Sequence, residues 1–267
     1  MDGHFQRITA ANGVVYYTCD ALQAPHGFST RLGGVSGGGF GTLNLGLSGG
    51  DQPAAVRTNR SLWREAVGFP TEPHCLHQVH GAVVHLLEAA NDEPSSSRQG
   101  DALVTAVPAR AIGVYTADCG PVLLAAPGGA VVAAAHAGWR GAAAGVAANA
   151  AGALARRAGC GPGALVVALG PMIRACCFEV GDEVVEAFST QPWFQASCVA
   201  RGPSARPRLD LPALIRLQLM HAGVPGTHIH DLGLCTMCLA SEFHSWRRDG
   251  SASGRMQAAI APRGLYA

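Results

Sequence analysis

At 267 residues the chain is long enough for one large domain or two small ones with a sizeable core. Apolar residues make up 48% and charged residues 14%, a globular rather than a disordered balance. The formal net charge of +1 gives no electrostatic case for nucleic acid or an anionic membrane, and the apolar runs are too broken by Gly, Pro and His to span a bilayer. The nine cysteines are odd in number and scattered, which argues against a disulfide framework and for thiols, metal ligands or catalysis. With no signal pattern in MDGHFQRITAANG, a cytoplasmic protein is expected.

In chain order, residues 14–18 (VVYYT) read as a first strand. The glycines between Leu32 and Gly41 make a loop whose backbone could approach a ligand closely, though it matches neither the P-loop nor the dinucleotide fingerprint. Residues 53–68 read as an amphipathic helix with Val56, Leu62, Trp63 and Val67 inward. Residues 76–87 are strand-like; alternation would put His77 and His80 on opposite faces, so at most one of them reaches any given site. Residues 91–99 form a polar loop, and 100–105 begin another strand.

The densest stretch is residues 111–141, AIGVYTADCGPVLLAAPGGAVVAAAHAGWRG. It reads as strand, corner, strand, turn at Pro127-Gly128-Gly129, strand, and the start of a helix over 141–157. If the strands flanking the turn pair as a hairpin, Cys119 and His136 stand side by side at one sheet edge. Beyond it, residues 164–169 are a buried strand, Asp182 is expected to cap a helix through Phe188, and Asp210 with Pro212 opens a helix to about Ala222. Strands are expected over 229–234 and 256–261. Many strands with few interspersed helices indicate an α+β domain with mixed sheets, spanning residues 1–267 as a single unit.

Three residues suit a metal: His80, Cys119 and His136, from separate segments, offer the nitrogen and sulfur that zinc takes when a fourth position stays open. Asp118 beside Cys119 is placed to orient an imidazole or to handle protons. Arg31 and Arg140, in Gly-flanked corners, are the better candidates for holding phosphate or carboxylate. Cys235-x-x-Cys238 would need Cys176-Cys177 as its partner pair; those two lack the usual two-residue gap, so a structural zinc is not expected there.

The motifs Gln78-Val79-His80-Gly81, Gly100-Asp101-Ala102, Ala117-Asp118-Cys119-x-Pro121 and His136-Ala137-Gly138-Trp139-Arg140-Gly141 resemble, in this order, those of the YfiH family. So do His26-Gly27-Phe28-Ser29-Thr30-Arg31, Leu43-Asn44-Leu45-Gly46, Cys177-Phe178-Glu179-Val180, Cys235-Thr236 and Arg247-Arg248-Asp249-Gly250, so the match runs through nearly the whole chain. This family is also called the laccase-domain, polyphenol oxidase or purine nucleoside phosphorylase family. His244, Trp246 and the doubled Cys176 depart from its pattern. The resemblance implies a single-domain α/β/β/α sandwich with zinc, or possible copper, on His80, Cys119 and His136. These residues and Asp118 would be catalytic, and Arg31, Asn44, Gln78 and Arg140 would bind substrate. It further implies a transferase and hydrolase of small molecules: phosphorolysis of adenosine, inosine, guanosine and S-methyl-5′-thioadenosine, and deamination of adenosine. A monomer is expected, on no residue of the sequence in particular.

Two other readings compete. A copper-dependent polyphenol oxidase would need repeated His-x-His pairs, and this chain has one, His228-Ile229-His230. A Cys–His hydrolase, including one that edits peptidoglycan precursors, would use Cys119 as nucleophile and His136 as base.

Overall fold

A computed structural model describes residues 4–47, 49–89, 98–201 and 206–264. Residues 91–97 of the expected polar loop lie outside them. The strands are β1 (Phe5–Thr9), β2 (Val15–Cys19), β3 (His26–Ser29), β4 (Val84–Leu87), β5 (Ala102–Thr105), β6 (Ile112–Thr116), β7 (Gly120–Ala125), β8 (Val132–Ala137), β9 (Val166–Leu169), β10 (Val199–Arg201), β11 (Pro207–Leu209), β12 (Ile229–Asp231) and β13 (Met256–Ile260). The helices are α1 (Pro53–Val67), α2 (Trp139–Ala143), α3 (Val146–Ala158), α4 (Asp182–Ser189), α5 (Leu211–His221) and α6 (Trp246–Asp249).

Two sheets stack face to face. One has the order β1-β2-β3-β13-β6, the other β12-β9-β7-β8-β5-β4. The second is mixed, because β12 runs parallel to β9 and β4 to β5 while the remaining pairs are antiparallel. Strand alternation sorts its side chains to two cores. Leu103, Leu123, Ala125 and Ala134 point at the first sheet, where Phe28, Ile112, Val114 and Ile260 meet them. Val104, Val122, Leu124, Ala133 and Ala135 point the other way, under α3 and α5. The outer face of the first sheet is covered by α1, whose fully buried Trp63 packs with Val14, Tyr16 and Ala259. The order is α/β/β/α, as the resemblance implied. No helix among the described residues is long and apolar enough to cross a membrane.

Several expectations shift. Residues 76–83 are not a strand: only Val84–Leu87 is, and His77 makes a single bridge to Gln99. The helix expected over 141–157 is two, broken where Gly145 adopts φ 93, a left-handed geometry a side chain would resist. Asp182 is the first residue inside α4 and Gly181 takes the cap position, whereas Asp210 does cap α5 by accepting from the Ala213 N–H. The strands β1, β3, β10 and β11 carry no period-2 signal strong enough to have marked them.

Candidate active site

The hairpin of β7 and β8 is the site's foundation. Its register sets Pro121 opposite His136 and Gly120 opposite Ala137. Gly128 and Gly129, both at positive φ, place the turn's centre one residue later than the equidistance argument assumed. The pairing therefore slips by two residues, and a two-residue slip leaves Cys119 and His136 on the same face. The corner between β6 and β7 carries the chain from one sheet to the other, and Asp118 sits there at φ 89. His80 also has positive φ, 60. A turn, not strand alternation, is what brings His80 rather than His77 to Cys119.

The structure gathers His80, Cys119 and His136, with donor atoms all within 4.8 Å of one another. The His80 and His136 rings meet edge-on, centroids 4.8 Å apart. His136 and the thiol lie at the buried end, and His80 is exposed. Behind them stands Asp101, fully buried, whose Oδ1 lies 2.9 Å from His136 Nδ1. That contact fixes the ring so that Nε2 faces the cluster. The same carboxylate accepts from the backbone N–H groups of Val79, His80 and Gly81 at 3.3, 2.9 and 2.7 Å. One side chain thus orients one imidazole and folds the loop that delivers the other. Asp101 is the functional residue that the sequence reading left without a role; an acidic residue opening the apolar run ALVT was its signal.

Charge is distributed accordingly. Burial pushes the Cys119 thiol up, but the His136 and His80 rings outweigh it and bring it to about 6. Burial pulls His136 down, and the Cys119 thiolate with the Asp101 carboxylate more than reverses this, to about 9. Both shifts favour the charged pair, thiolate and imidazolium. To hold a metal, His136 would have to give up that proton.

Asp118 does not orient an imidazole. Its carboxylate accepts from Thr236 Oγ1 at 2.6 Å, Ser245 Oγ at 3.0 Å and the Arg247 N–H at 2.7 Å. It is a brace that ties the Cys119 corner to the chain's last third.

The other expected residues separate. Arg31 donates to the carbonyls of Gly39, Gly41 and Ala240, so the glycine-rich loop wraps its guanidinium. Asn44 is buried and holds the Gly46 and Arg255 N–H groups with its Oδ1. Neither lines the cavity beside the donor cluster. Gln78 does line it, with its amide bonded to both backbone groups of Tyr115. Arg140 lines it too, stacked on the Trp139 ring at 4.2 Å. Among the described residues no hydrogen bond from protein occupies its guanidinium.

The cavity measures about 740 Å³, within the range of small-molecule sites. Three more of its arginines lie over aromatic rings: Arg60 on Tyr115, Arg247 on Phe178 and Arg255 on Trp246, at 5.3, 5.4 and 5.1 Å. Its walls therefore offer flat faces and cations together.

The donor set fits a metal. Two imidazoles and one thiolate beside a cavity are donors that zinc and copper both accept. Gly138 keeps the space clear, since a Cβ there would stand 2.8 Å from His80 Cδ2 and 3.0 Å from Cys119 Sγ. Among the described residues one other donor group is equally tight, and it is four cysteines: Cys176, Cys177, Cys235 and Cys238. The missing two-residue gap, on which the expectation of no structural zinc rested, does not keep Cys176 and Cys177 from meeting Cys235 and Cys238.

A sequence profile described as multi-copper polyphenol oxidoreductase laccase matches residues 25–263. Purine nucleoside phosphorylase YlmD of Geobacillus stearothermophilus is 37% identical over 251 residues, 89% of this chain and 89% of that protein. Purine nucleoside phosphorylase YfiH of Escherichia coli is 39% identical over 233 residues, 87% of this chain and 91% of that protein. The crystal structure of the Geobacillus stearothermophilus YlmD matches with a TM-score of 0.88 at 34% identity, covering 99% of this chain and 100% of that one. The Bacillus licheniformis hypothetical protein YfiH matches with 0.87 at 30% identity, covering 98% and 100%.

Proposed function

The chain belongs to the laccase-like family of polyphenol oxidoreductases, and on that premise we propose that it is a metal-dependent purine nucleoside enzyme, chiefly a phosphorylase. The observation that carries this reading is the three-donor cluster set into a cavity whose walls pair arginines with aromatic rings. The phosphorylases named above supply the substrate class. His80, Cys119 and His136 would hold the metal, zinc on our reading, although two imidazoles and one thiolate are donors to copper as well. When bound, the ion supplies a Lewis acid beside the reacting bond and a means of making water nucleophilic near neutral pH.

The chain's own residues do the rest. Trp139, Phe178 and Trp246 give the purine and ribose flat apolar faces. Arg140, preset by its stack on Trp139, receives phosphate as a planar fork. In phosphorolysis an oxygen of hydrogen phosphate bonds to the ribose anomeric carbon, the bond to the base breaks, and the leaving base takes up the proton that the phosphate gives up. Asp101 fixes His136 throughout, and Asp118 holds the Cys119 corner against its own strained backbone. Deamination of adenosine at the same cavity would be water addition to the ring carbon that bears the amine, then cleavage of that carbon–nitrogen bond with a proton passed from the added water to the amine, which leaves as ammonia and gives inosine.

A second reading has an observation in its favour. Asp101, His136 and Cys119 stand in the order carboxylate, imidazole, thiolate, the arrangement of a nucleophilic cysteine. Incubation of the metal-replete protein with adenosine, with and without phosphate, followed by chromatography, separates the cases. Adenine formed only with phosphate identifies a phosphorylase, and inosine identifies a deaminase. Turnover of neither, with loss of an esterase-type activity on alkylating Cys119, would support the hydrolase and overturn the reading proposed.

A further inference from the structure

The four-cysteine cluster lies outside the cavity described above: none of its members lines it. Its origin is topological. Strands β9 and β12 are parallel neighbours, with Ile229 beside Val167 and Asp231 beside Leu169, so the loops that leave them start at the same sheet edge. A bridge between Met172 and Cys235 keeps the two loops together. Each then makes a tight turn. The Cys177 and Phe178 N–H groups donate to the Arg174 carbonyl at 2.8 Å, and the Leu239 N–H donates to the Cys235 carbonyl at 3.1 Å. The turns face one another sulfur to sulfur, 3.3 Å between Cys177 and Cys238 and 3.5 Å between Cys176 and Cys238.

We propose that Cys176, Cys177, Cys235 and Cys238 form a second metal site, a closed tetrathiolate that takes zinc and holds the two loops together. The chemistry of the donors points to zinc, for which four thiolates are a structural set. At a Zn–S distance of about 2.3 Å the edges of a sulfur tetrahedron are about 3.8 Å. The sulfurs here all lie within 4.8 Å of one another, so small side-chain rotations close the shell. The backbone N–H groups of Cys238, Arg174 and Met237 face the buried Cys235 sulfur. Amides turned onto a sulfur are what stabilise a metal thiolate from outside its shell. All four cysteines are free, and the adjacency of Cys176 and Cys177 lets both reach one centre. A single disulfide would use two of them and strand the other two.

The site has a structural consequence for the cavity. Ile173 and Phe178, which line the cavity wall, flank the first cysteine pair. Thr236, which follows Cys235, donates to Asp118. A metal here would therefore clamp one wall of the cavity and the brace of the Cys119 corner without touching substrate.

The inference stands apart from the proposed activity and is tested apart from it. Zinc per chain is measured by mass spectrometry on protein purified under reducing conditions with zinc, then dialysed. The C119A variant removes the first cluster and is expected to retain one zinc per chain. C119A/C238S and C119A/C176S are expected to retain none. As an independent readout, cobalt-loaded C119A should show the absorption of a tetrahedral tetrathiolate, lost in C119A/C238S. Zinc-free C119A, or zinc in C119A that survives loss of Cys238 and Cys176, overturns the proposal. So does a disulfide at Cys238 in zinc-replete, folded wild-type protein.

Discussion

The two donor clusters show how differently one chain can arrange similar ligands. His80, Cys119 and His136 come from a loop, a sheet-crossing corner and a core strand, and they open onto a cavity. Cys176, Cys177, Cys235 and Cys238 come from two turns at a sheet edge, and none of them lines that cavity. The first has three donors, the second four. Three protein donors leave a position for a reactant and four close the shell, so number and setting separate a reactive centre from a fastening. The supports differ as well. Imidazoles need a partner on their second nitrogen, which Asp101 provides to His136; in the second cluster backbone amides face the Cys235 sulfur. Both clusters converge on Asp118, which precedes Cys119 and accepts from Thr236.

This contrast can be broken at defined points. C119A should lose the metal of the open site and all turnover, a larger effect than the ~10–100-fold that loss of an outer-shell partner costs. D101N should fall in that ~10–100-fold range for metal affinity, read by competition with a chelator, because His136 loses the acceptor that aims its ring. G138A should weaken metal binding at the open site while leaving the tetrathiolate loaded, since the new Cβ would crowd His80 and Cys119 alone; equal loss from both sites would contradict the assignment. The two expected phosphate ligands should then divide. R140A should raise the KM for phosphate and leave the Tm unchanged. R31A should do the reverse, with stability lower by about 1–3 kcal/mol for the charge-assisted hydrogen bonds it loses, measured by denaturant unfolding.

The parts of this arrangement that a linear sequence discloses are those set by local chemistry. The hairpin around Gly128-Gly129, helix α1 with Gly68 at its left-handed end and the Asp210 cap of α5 all follow from nearby residues. The pairing of Cys119 with His136 followed too, because a period-2 error preserves the face. The rest depends on contacts between distant segments. The identity of the third donor rests on a turn wrapped around Asp101, which no strand period reveals. The four-cysteine cluster depends on β9 and β12 being parallel neighbours, a fact of topology. Arg31 and Asn44 occupy motifs, yet their side chains are spent on backbone groups, and a motif does not say where its hydrogen bonds end.

The most direct test is adenine release from adenosine in the presence of phosphate, by wild-type protein before chelation, after it, and after zinc is restored, with C119A alongside. The account predicts loss on chelation, recovery with zinc, and no activity in C119A under any condition. A metal-stripped protein, or a C119A variant, that releases adenine at the untreated wild-type rate would contradict it.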